Sequence, residues 1–88
     1  MPIDQIQLMR TEILKELRNC GKYQLPESTL LAALRLGLRP APTMPDFTTT
    51  LTNLSDEGLI ISTTDTMTKA TKWRITDLGK SLLSENGL

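Results

Sequence analysis

Histidine is absent from this 88-residue chain, and cysteine occurs once, at Cys20. Without histidine no Ser–His or Cys–His pair can form for nucleophilic catalysis, and a single cysteine excludes an intramolecular disulfide. One thiol among scattered carboxylates has no metal-ligand spacing, and no glycine-rich phosphate loop is present. These absences indicate a protein that is not an enzyme and that carries neither a cofactor nor a metal.

Aromatic residues and long apolar runs are also scarce. The aromatic residues are Tyr23, Phe47 and Trp73, so the core must be built mainly from Leu, Ile, Met and Ala. No apolar stretch approaches the roughly 18 residues of a transmembrane helix, and the N-terminus shows no basic-then-apolar leader. We therefore expect residues 1–88 to form one small cytoplasmic domain with a reduced thiol.

Charge is balanced overall, with ten basic and ten acidic residues, but it is uneven along the chain. Residues 40–68 contain four carboxylates and no Lys or Arg, whereas residues 69–80 contain four cations and one carboxylate. A neutral chain gives no general indication of a polyanionic partner. If the protein binds nucleic acid, residues 69–80 are the expected contact.

Hydrophobic spacing predicts four helices, at residues 3–20, 27–36, 43–57 and 76–84. In the first, Ile6, Met9, Ile13, Leu17 and Cys20 share one apolar face. Gly21 and Gly37 are expected to end the first two helices. Leu30, Leu31, Ala33 and Leu34 form the apolar side of the second helix, and Leu78, Leu82 and Leu83 that of the last.

The third helix is expected to begin with Thr43 as its N-cap, since a threonine hydroxyl can accept from a first-turn amide. Pro45 is compatible with this start, because proline is tolerated in the first turn of a helix. Its predicted buried stripe is Met44, Phe47, Leu51 and Leu54. Its predicted outer side carries Asp46, Thr49, Thr50, Asn53 and Glu57. Gly58 then allows the left-handed turn that ends the helix.

Two β-strands follow, at residues 59–63 and 72–75, and residues 64–71 form the tip between them. Trp73 and Ile75 point to one face of the second strand, while Lys72 and Arg74 point to the other. Thr76 is expected to cap the last helix, and residues 85–88 are expected to form a frayed tail.

Two segments resemble the winged helix-turn-helix superfamily. Residues 51–60 are similar to the Leu-x-x-Leu-x-x-x-Gly-Leu-Ile pattern that joins a recognition helix to the first wing strand. Residues 73–80 are similar to the aromatic-x-aliphatic-Thr-x-x-Gly pattern that ends the wing in many small bacterial and archaeal regulators. The resemblance covers most of residues 3–84. It implies an α+β, mainly α winged helix, with a three-helix core, a two-stranded β-hairpin wing and a C-terminal helix.

In such domains the third helix lies in the major groove and the wing contacts phosphates or the minor groove. Carried over by position, the resemblance implies Thr49, Thr50 and Asn53, beside Asp46, as base-reading residues. It implies Lys69, Lys72, Arg74, Arg35 and Arg39 as phosphate contacts. The implied function is a transcriptional regulator that binds double-stranded DNA as a homodimer. The first or the last helix would form the dimer, through Leu8 or through Leu78, Leu82 and Leu83.

A second interpretation remains open, since this fold also serves as a protein–protein interaction or assembly module. The predicted recognition helix has no Lys or Arg and carries Asp46, Asp56 and Glu57, which favours a protein partner. The cations of residues 69–80 could equally keep an exposed ribbon soluble. Trp73 is interpreted as a core residue, with a base-stacking platform as the alternative.

Overall fold

A computed structural model of the protein describes residues 3–20, 24–38 and 41–87. Over these ranges the chain is α+β and mainly helical, with four helices and a three-stranded antiparallel sheet. The helices are α1 (Ile3–Asn19), α2 (Glu27–Gly37), α3 (Met44–Asp56) and α4 (Asp77–Glu85), and the strands are β1 (Leu25–Pro26), β2 (Ile60–Thr64) and β3 (Thr71–Ile75). None of these helices combines the length and the apolar character needed to cross a membrane.

The sheet differs from the predicted two-stranded hairpin by one additional strand. Its order is β1-β3-β2, with Leu25 opposite Trp73 and Pro26 opposite Lys72. A two-residue strand is too short to show alternation in the sequence. Proline suits this position because it lacks a backbone donor and is tolerated in an edge strand. The prediction of two strands is therefore corrected to three.

The core is centred on α1, which packs against α2, α3, α4 and β3. Met9, Ile13 and Leu17 are fully buried along its predicted apolar face. Ile6 and Cys20 are only half-buried, since they lie at the two ends of that face. Gly21, expected to end the helix, lies outside the described residues.

The other elements contribute one buried cluster around α1. Its members from α2 onward are Leu30, Leu31, Leu34, Phe47, Leu51, Leu54, Leu59, Ile60, Trp73, Ile75 and Leu83. Trp73 is 8 % exposed, which confirms that it packs inward and leaves no ring face for base stacking. Its indole Nε1 is buried with no hydrogen-bond partner among the described groups.

Helix α3 is rotated about its axis relative to the prediction. Met44, expected in the core, is 50 % exposed, whereas Thr50, expected on the outer side, is 4 % exposed. The Thr50 hydroxyl donates to the carbonyl oxygen of Asp46 at 2.8 Å, so its burial leaves no unpaired polar group. At about 100° per residue, exchanging Met44 for Thr50 turns the buried stripe by about 30°.

Both predicted N-caps are confirmed. The Thr43 hydroxyl accepts from the backbone N–H of Asp46 at 3.3 Å, and the Thr76 hydroxyl accepts from that of Gly79 at 3.1 Å. The Thr76 hydroxyl also donates back to the chain that leaves α3, with Gly58 O at 2.7 Å and Leu59 O at 3.0 Å. Gly58 has a φ of 77°, the left-handed conformation expected of it.

Helix α4 ends at Glu85, one residue later than predicted, and its apolar residues do not form one exposed group. The chain as far as Gly87 makes helix-ending hydrogen bonds, such as Gly87 N to Ser84 O at 3.1 Å, where a frayed tail was expected. Leu83 is buried, Leu82 is half-buried and Leu78 is 57 % exposed. Leu83 therefore belongs to the core and cannot contribute to a dimer contact.

Candidate nucleic-acid interface

The face of α3 that points away from the core is rich in hydroxyl groups. We call the exposed residues Thr48, Thr49, Thr52, Asn53 and Asp56 the outer face of α3. Thr49 and Asn53, two of the predicted base-reading residues, lie on it. Thr50 does not, because it is buried beside Phe47 and Leu54. The structure therefore removes Thr50 from the set of groups able to reach a ligand.

Thr48 and Thr52 are members of this face that the sequence interpretation missed. The Thr52 hydroxyl donates to the Thr48 carbonyl oxygen at 3.0 Å, which leaves its own lone pairs available to a donor. A helical projection centred on Phe47 and Leu54 places both threonines toward solvent. The predicted burial of Met44 concealed this, because it shifted the assumed centre of the core away from Thr50.

Helix α1 borders the outer face on one side. A crevice of about 130 Å³ lies between Ile6 of α1 and the residues Asp46, Thr49, Thr50 and Asn53 of α3. Asp46 is half-buried there and is less accessible than the sequence suggested. Thr49 and Asn53 of the outer face thus also line the crevice between α3 and α1.

The acidic end of α3 is partly neutralised from α1. Arg10 Nη2 lies 2.6 Å from Glu57 Oε2, and the two residues are 47 positions apart in the chain. A contact at this separation cannot be read from local sequence. It leaves Asp56 as the exposed carboxylate of the outer face, so the negative charge there is smaller than the count of acidic residues suggests.

The β2–β3 hairpin carries the predicted phosphate-contact residues Lys69, Lys72 and Arg74. Lys72 is opposite Thr63 and Arg74 is opposite Ile61 in the antiparallel register. Because the two cations are two residues apart on one strand, their side chains share one face of the sheet. Lys69 lies in the connecting turn and is exposed, with a φ of 59°.

The turn of this hairpin is organised by Asp65. Its carboxylate accepts from the backbone N–H groups of Met67 at 2.8 Å and of Thr68 at 3.5 Å. Its backbone N–H donates to Ala70 O at 2.9 Å, and its carbonyl accepts from Lys69 N at 2.7 Å. The hydrogen bonds to the carboxylate, led by that from Met67, lower the pKa of Asp65, with a smaller contribution from the charge of Lys72.

Arg35, another of the predicted phosphate contacts, belongs to a different element from the hairpin. Arg35 lies on α2, in a groove that also includes Met44 and Phe47. Arg39 falls outside the described residues. The structure therefore places Lys72 and Arg74 side by side with Lys69 in the adjoining turn, and puts Arg35 on a different element.

The described residues offer few side chains for metal binding or covalent catalysis. No group of three or more His, Cys, Asp and Glu side chains there is placed to hold a metal ion. Cys20 is a free, half-buried thiol at the end of α1. The polar side chains of α3 and the cations of the hairpin are the groups best placed to contact another molecule.

The fold is similar to that of a provisionally assigned transcriptional regulator from Thermoplasma acidophilum, known from its crystal structure. The superposition covers 91 % of this chain and 75 % of that chain, with a TM-score of 0.73 and 24 % sequence identity. At 24 % identity, this similarity shows a shared fold alone. The sequence matches no protein-family model and no curated protein.

Proposed function

We propose that the protein is a winged-helix transcriptional regulator that inserts α3 into the major groove of double-stranded DNA and rests the β2–β3 hairpin, as its wing, on the phosphate backbone. The observation that carries the proposal is the pairing of a hydroxyl- and amide-bearing helix face with a cation-bearing hairpin that directly follows it in the chain. The fold shared with a provisionally assigned regulator supports the proposal.

The outer face of α3 offers groups suited to reading bases. Asn53 can donate to and accept from the major-groove edge of adenine, and threonine methyl and hydroxyl groups suit the thymine methyl and phosphate oxygens. Thr48, Thr49 and Thr52 surround Asn53 with such groups. A helix of this composition derives little affinity from charge, so it would contribute selectivity more than binding strength.

The hairpin supplies the electrostatic part of the proposed interaction. Lys69, Lys72 and Arg74 can each neutralise a phosphate and release counterions, so binding would weaken as salt concentration rises. Three such contacts per chain predict modest affinity for a monomer. Two chains on adjacent half-sites would double the number of contacts, as in other helix-turn-helix dimers.

The base-reading role is tested with Asn53→Ala and, as a matched control, Asn19→Ala, which removes an exposed amide at the end of α1. A site is first selected from random duplexes at low salt, and affinities are then measured by fluorescence anisotropy. Asn53→Ala should lose about 1 to 3 kcal/mol on the selected site and little on unrelated duplex. Equal effects of both variants would contradict the assignment of α3.

The phosphate-contact role is tested by the slope of log affinity against log salt concentration. Lys69→Ala and Lys72→Ala should each reduce the slope by about 0.9, whatever the duplex sequence. Lys80→Ala on α4 removes an exposed cation outside the hairpin and should leave the slope unchanged. An unchanged slope in both hairpin variants would remove the wing from the interface.

A protein partner is the second candidate, favoured by the exposed carboxylate of Asp56 on a helix that lacks cations. Under this alternative, Asp56→Lys weakens capture of the partner, while Lys69→Glu and Lys72→Glu leave it intact. Under DNA binding the pattern reverses, because Asp56→Lys adds a cation near the phosphates and the two hairpin substitutions abolish binding.

The sequence predicts a homodimer formed through α1 or α4. Leu8 on α1 is 54 % exposed and Leu78 on α4 is 57 % exposed. Single exposed leucines are common on monomeric proteins, so exposure alone does not identify a dimer contact. The dimer hypothesis is tested by substituting Leu8 or Leu78 with alanine and measuring whether the protein still dimerises.

A further inference from the structure

Met67, at the tip of the β2–β3 hairpin, has the most exposed large apolar side chain of the described residues and is 90 % exposed. Burial of this side chain therefore contributes almost nothing to folding. Glycine, proline and small polar residues are the usual occupants of a tight turn, because they suit its backbone. The proposed function gives roles to the cations of the hairpin and none to Met67.

The hairpin carries this tip well away from the core. Ile60 is the last buried residue of β2, and the strand continues to Thr64. Four steps of about 3.3 Å place Thr64 about 13 Å beyond Ile60. Residues 65–70 connect the two strands beyond that point. Met67 therefore lies at the far end of a projecting ribbon.

Hydrogen bonds fix the backbone on both sides of Met67. Its own N–H donates to the Asp65 carboxylate at 2.8 Å, and Lys69 N donates to Asp65 O at 2.7 Å. Ala70 N donates to the Thr68 hydroxyl at 3.3 Å. A side chain presented by an ordered turn loses less conformational entropy on binding than one on a mobile loop.

Lys69 adds a cation to the tip in a backbone conformation that costs stability. Its φ of 59° lies in the left-handed region, which a β-carbon disfavours and which glycine adopts freely. Residues held in such conformations cluster at binding sites, where the side chain has a use other than folding. The tip thus presents one apolar and one cationic side chain, two residues apart, on a fixed backbone.

The minor groove of duplex DNA matches this pair of side chains. The groove is about 6 Å wide, and its edges carry the phosphates that a lysine can neutralise. An unbranched methionine side chain suits so narrow a slot. Methionine is also one of the apolar residues that proteins insert between base pairs from the minor groove.

We propose that Met67 enters the minor groove as a wedge, separates one base step and bends the duplex away from the hairpin, while Lys69 contacts a phosphate at the edge of the groove. This inference rests on the proposed function and adds DNA bending to it. Unstacking a base step costs free energy, and flexible pyrimidine–purine steps cost the least. The protein should therefore prefer such a step beneath the hairpin, at a position that no side chain of α3 reads.

The test measures the bend of a selected duplex by energy transfer between fluorophores at its two ends. Wild type should bend the duplex by about 20° or more, and Met67→Ala should leave it nearly straight. Met67→Leu keeps an apolar wedge and should retain the bend. Leu36→Ala truncates an exposed apolar side chain on α2, so it is the matched control and should bend the duplex as wild type does.

A second readout reports unstacking directly. A fluorescent adenine analogue that brightens on unstacking should respond at one step beneath the hairpin when wild type binds, and should stay quenched with Met67→Ala. A mismatch at that step unstacks it in advance, so wild type should bind the mismatched duplex about tenfold more tightly than the paired one. Met67→Ala should bind both duplexes equally. Its salt dependence should match that of wild type, because all cations remain.

The outcomes separate the wedge from DNA binding itself. A wild-type complex with a straight duplex, or a Met67→Ala complex bent as strongly as wild type, would overturn the wedge alone, since the effects of Asn53→Ala and Lys72→Ala on binding would stand. Loss of the bend in Leu36→Ala to the same extent would also overturn it. A wild-type protein that binds no duplex would overturn both the wedge and the proposed function. Circular dichroism verifies that each variant is folded.

Discussion

Thr76 shows how one side chain can hold two elements together. Its hydroxyl donates to the chain leaving α3 at 2.7 Å and accepts from the first turn of α4 at 3.1 Å. Thr76→Val keeps the branched shape and removes both functions, so it should cost about 1 to 2 kcal/mol of unfolding free energy. Chemical denaturation measures this loss.

The control for Thr76 is Thr66→Val in the exposed hairpin turn. Surface substitutions of this kind usually change stability by no more than about 0.5 kcal/mol. If the two valine variants were equally stable, the hydroxyl of Thr76 would not be the link between α3 and α4.

Asp65 predicts a pH dependence confined to the hairpin turn. Hydrogen bonds to its carboxylate lower its pKa in the folded state, so the ionised form is the one that holds the turn. The stabilisation is present above the pKa of the unfolded chain and is lost as the pH falls through the lowered folded-state pKa. In nitrogen–proton NMR spectra, the Met67 amide signal should titrate with a midpoint below the ordinary aspartate range. A midpoint at or above that range would contradict this account of the turn.

At the scale of elements, the junction between β3 and α4 depends on close backbone packing at Gly79. A β-carbon there would lie 2.5 Å from Leu59 O and 2.7 Å from Ile75 Cγ1. Gly79→Ala should therefore cost about 2 to 3 kcal/mol, because neither the carbonyl nor the β-branched side chain can easily move. Thermal or chemical unfolding gives the value.

Gly37→Ala is the matched glycine variant. No atom lies within 4 Å of a β-carbon built at Gly37, and its φ is not in the left-handed region. Alanine there should be neutral or stabilise the protein by about 0.5 kcal/mol, since it restricts the unfolded chain. Two results would contradict this account of Gly79. One is a large loss of stability in Gly37→Ala, and the other is an unchanged stability in Gly79→Ala.

The elements themselves were largely predictable from the sequence, because the signals were local. The helices and the two long strands follow from apolar spacing, from threonine caps and from the turn at Gly58, and their ends agree within one residue. Strand β1 was missed because pairing of two residues is decided by Trp73 and Lys72, far away in the chain. The rotation of α3 was missed because the burial of Thr50 depends on a hydrogen bond to Asp46 that composition does not reveal.

At the scale of the whole molecule, tertiary packing decides which residues of the candidate interface are exposed and which are paired. Thr49, Asn53 and the hairpin cations could be named from position in the sequence. Thr48 and Thr52 required the true rotation of α3, and the ion pair of Arg10 with Glu57 required the packing of α1. Long-range packing thus decides which polar groups are available, while local sequence decides which ones are present.

The central claim, that α3 and the β2–β3 hairpin together bind duplex DNA, is tested most directly by an NMR titration. Nitrogen–proton spectra of the protein are recorded at low salt while a duplex carrying a selected site is added. The account predicts shift changes at Thr48, Thr49, Thr52 and Asn53 and in residues 66–72, with α4 residues unaffected. No shift changes at saturating duplex, or changes confined to the α2 groove, would contradict it.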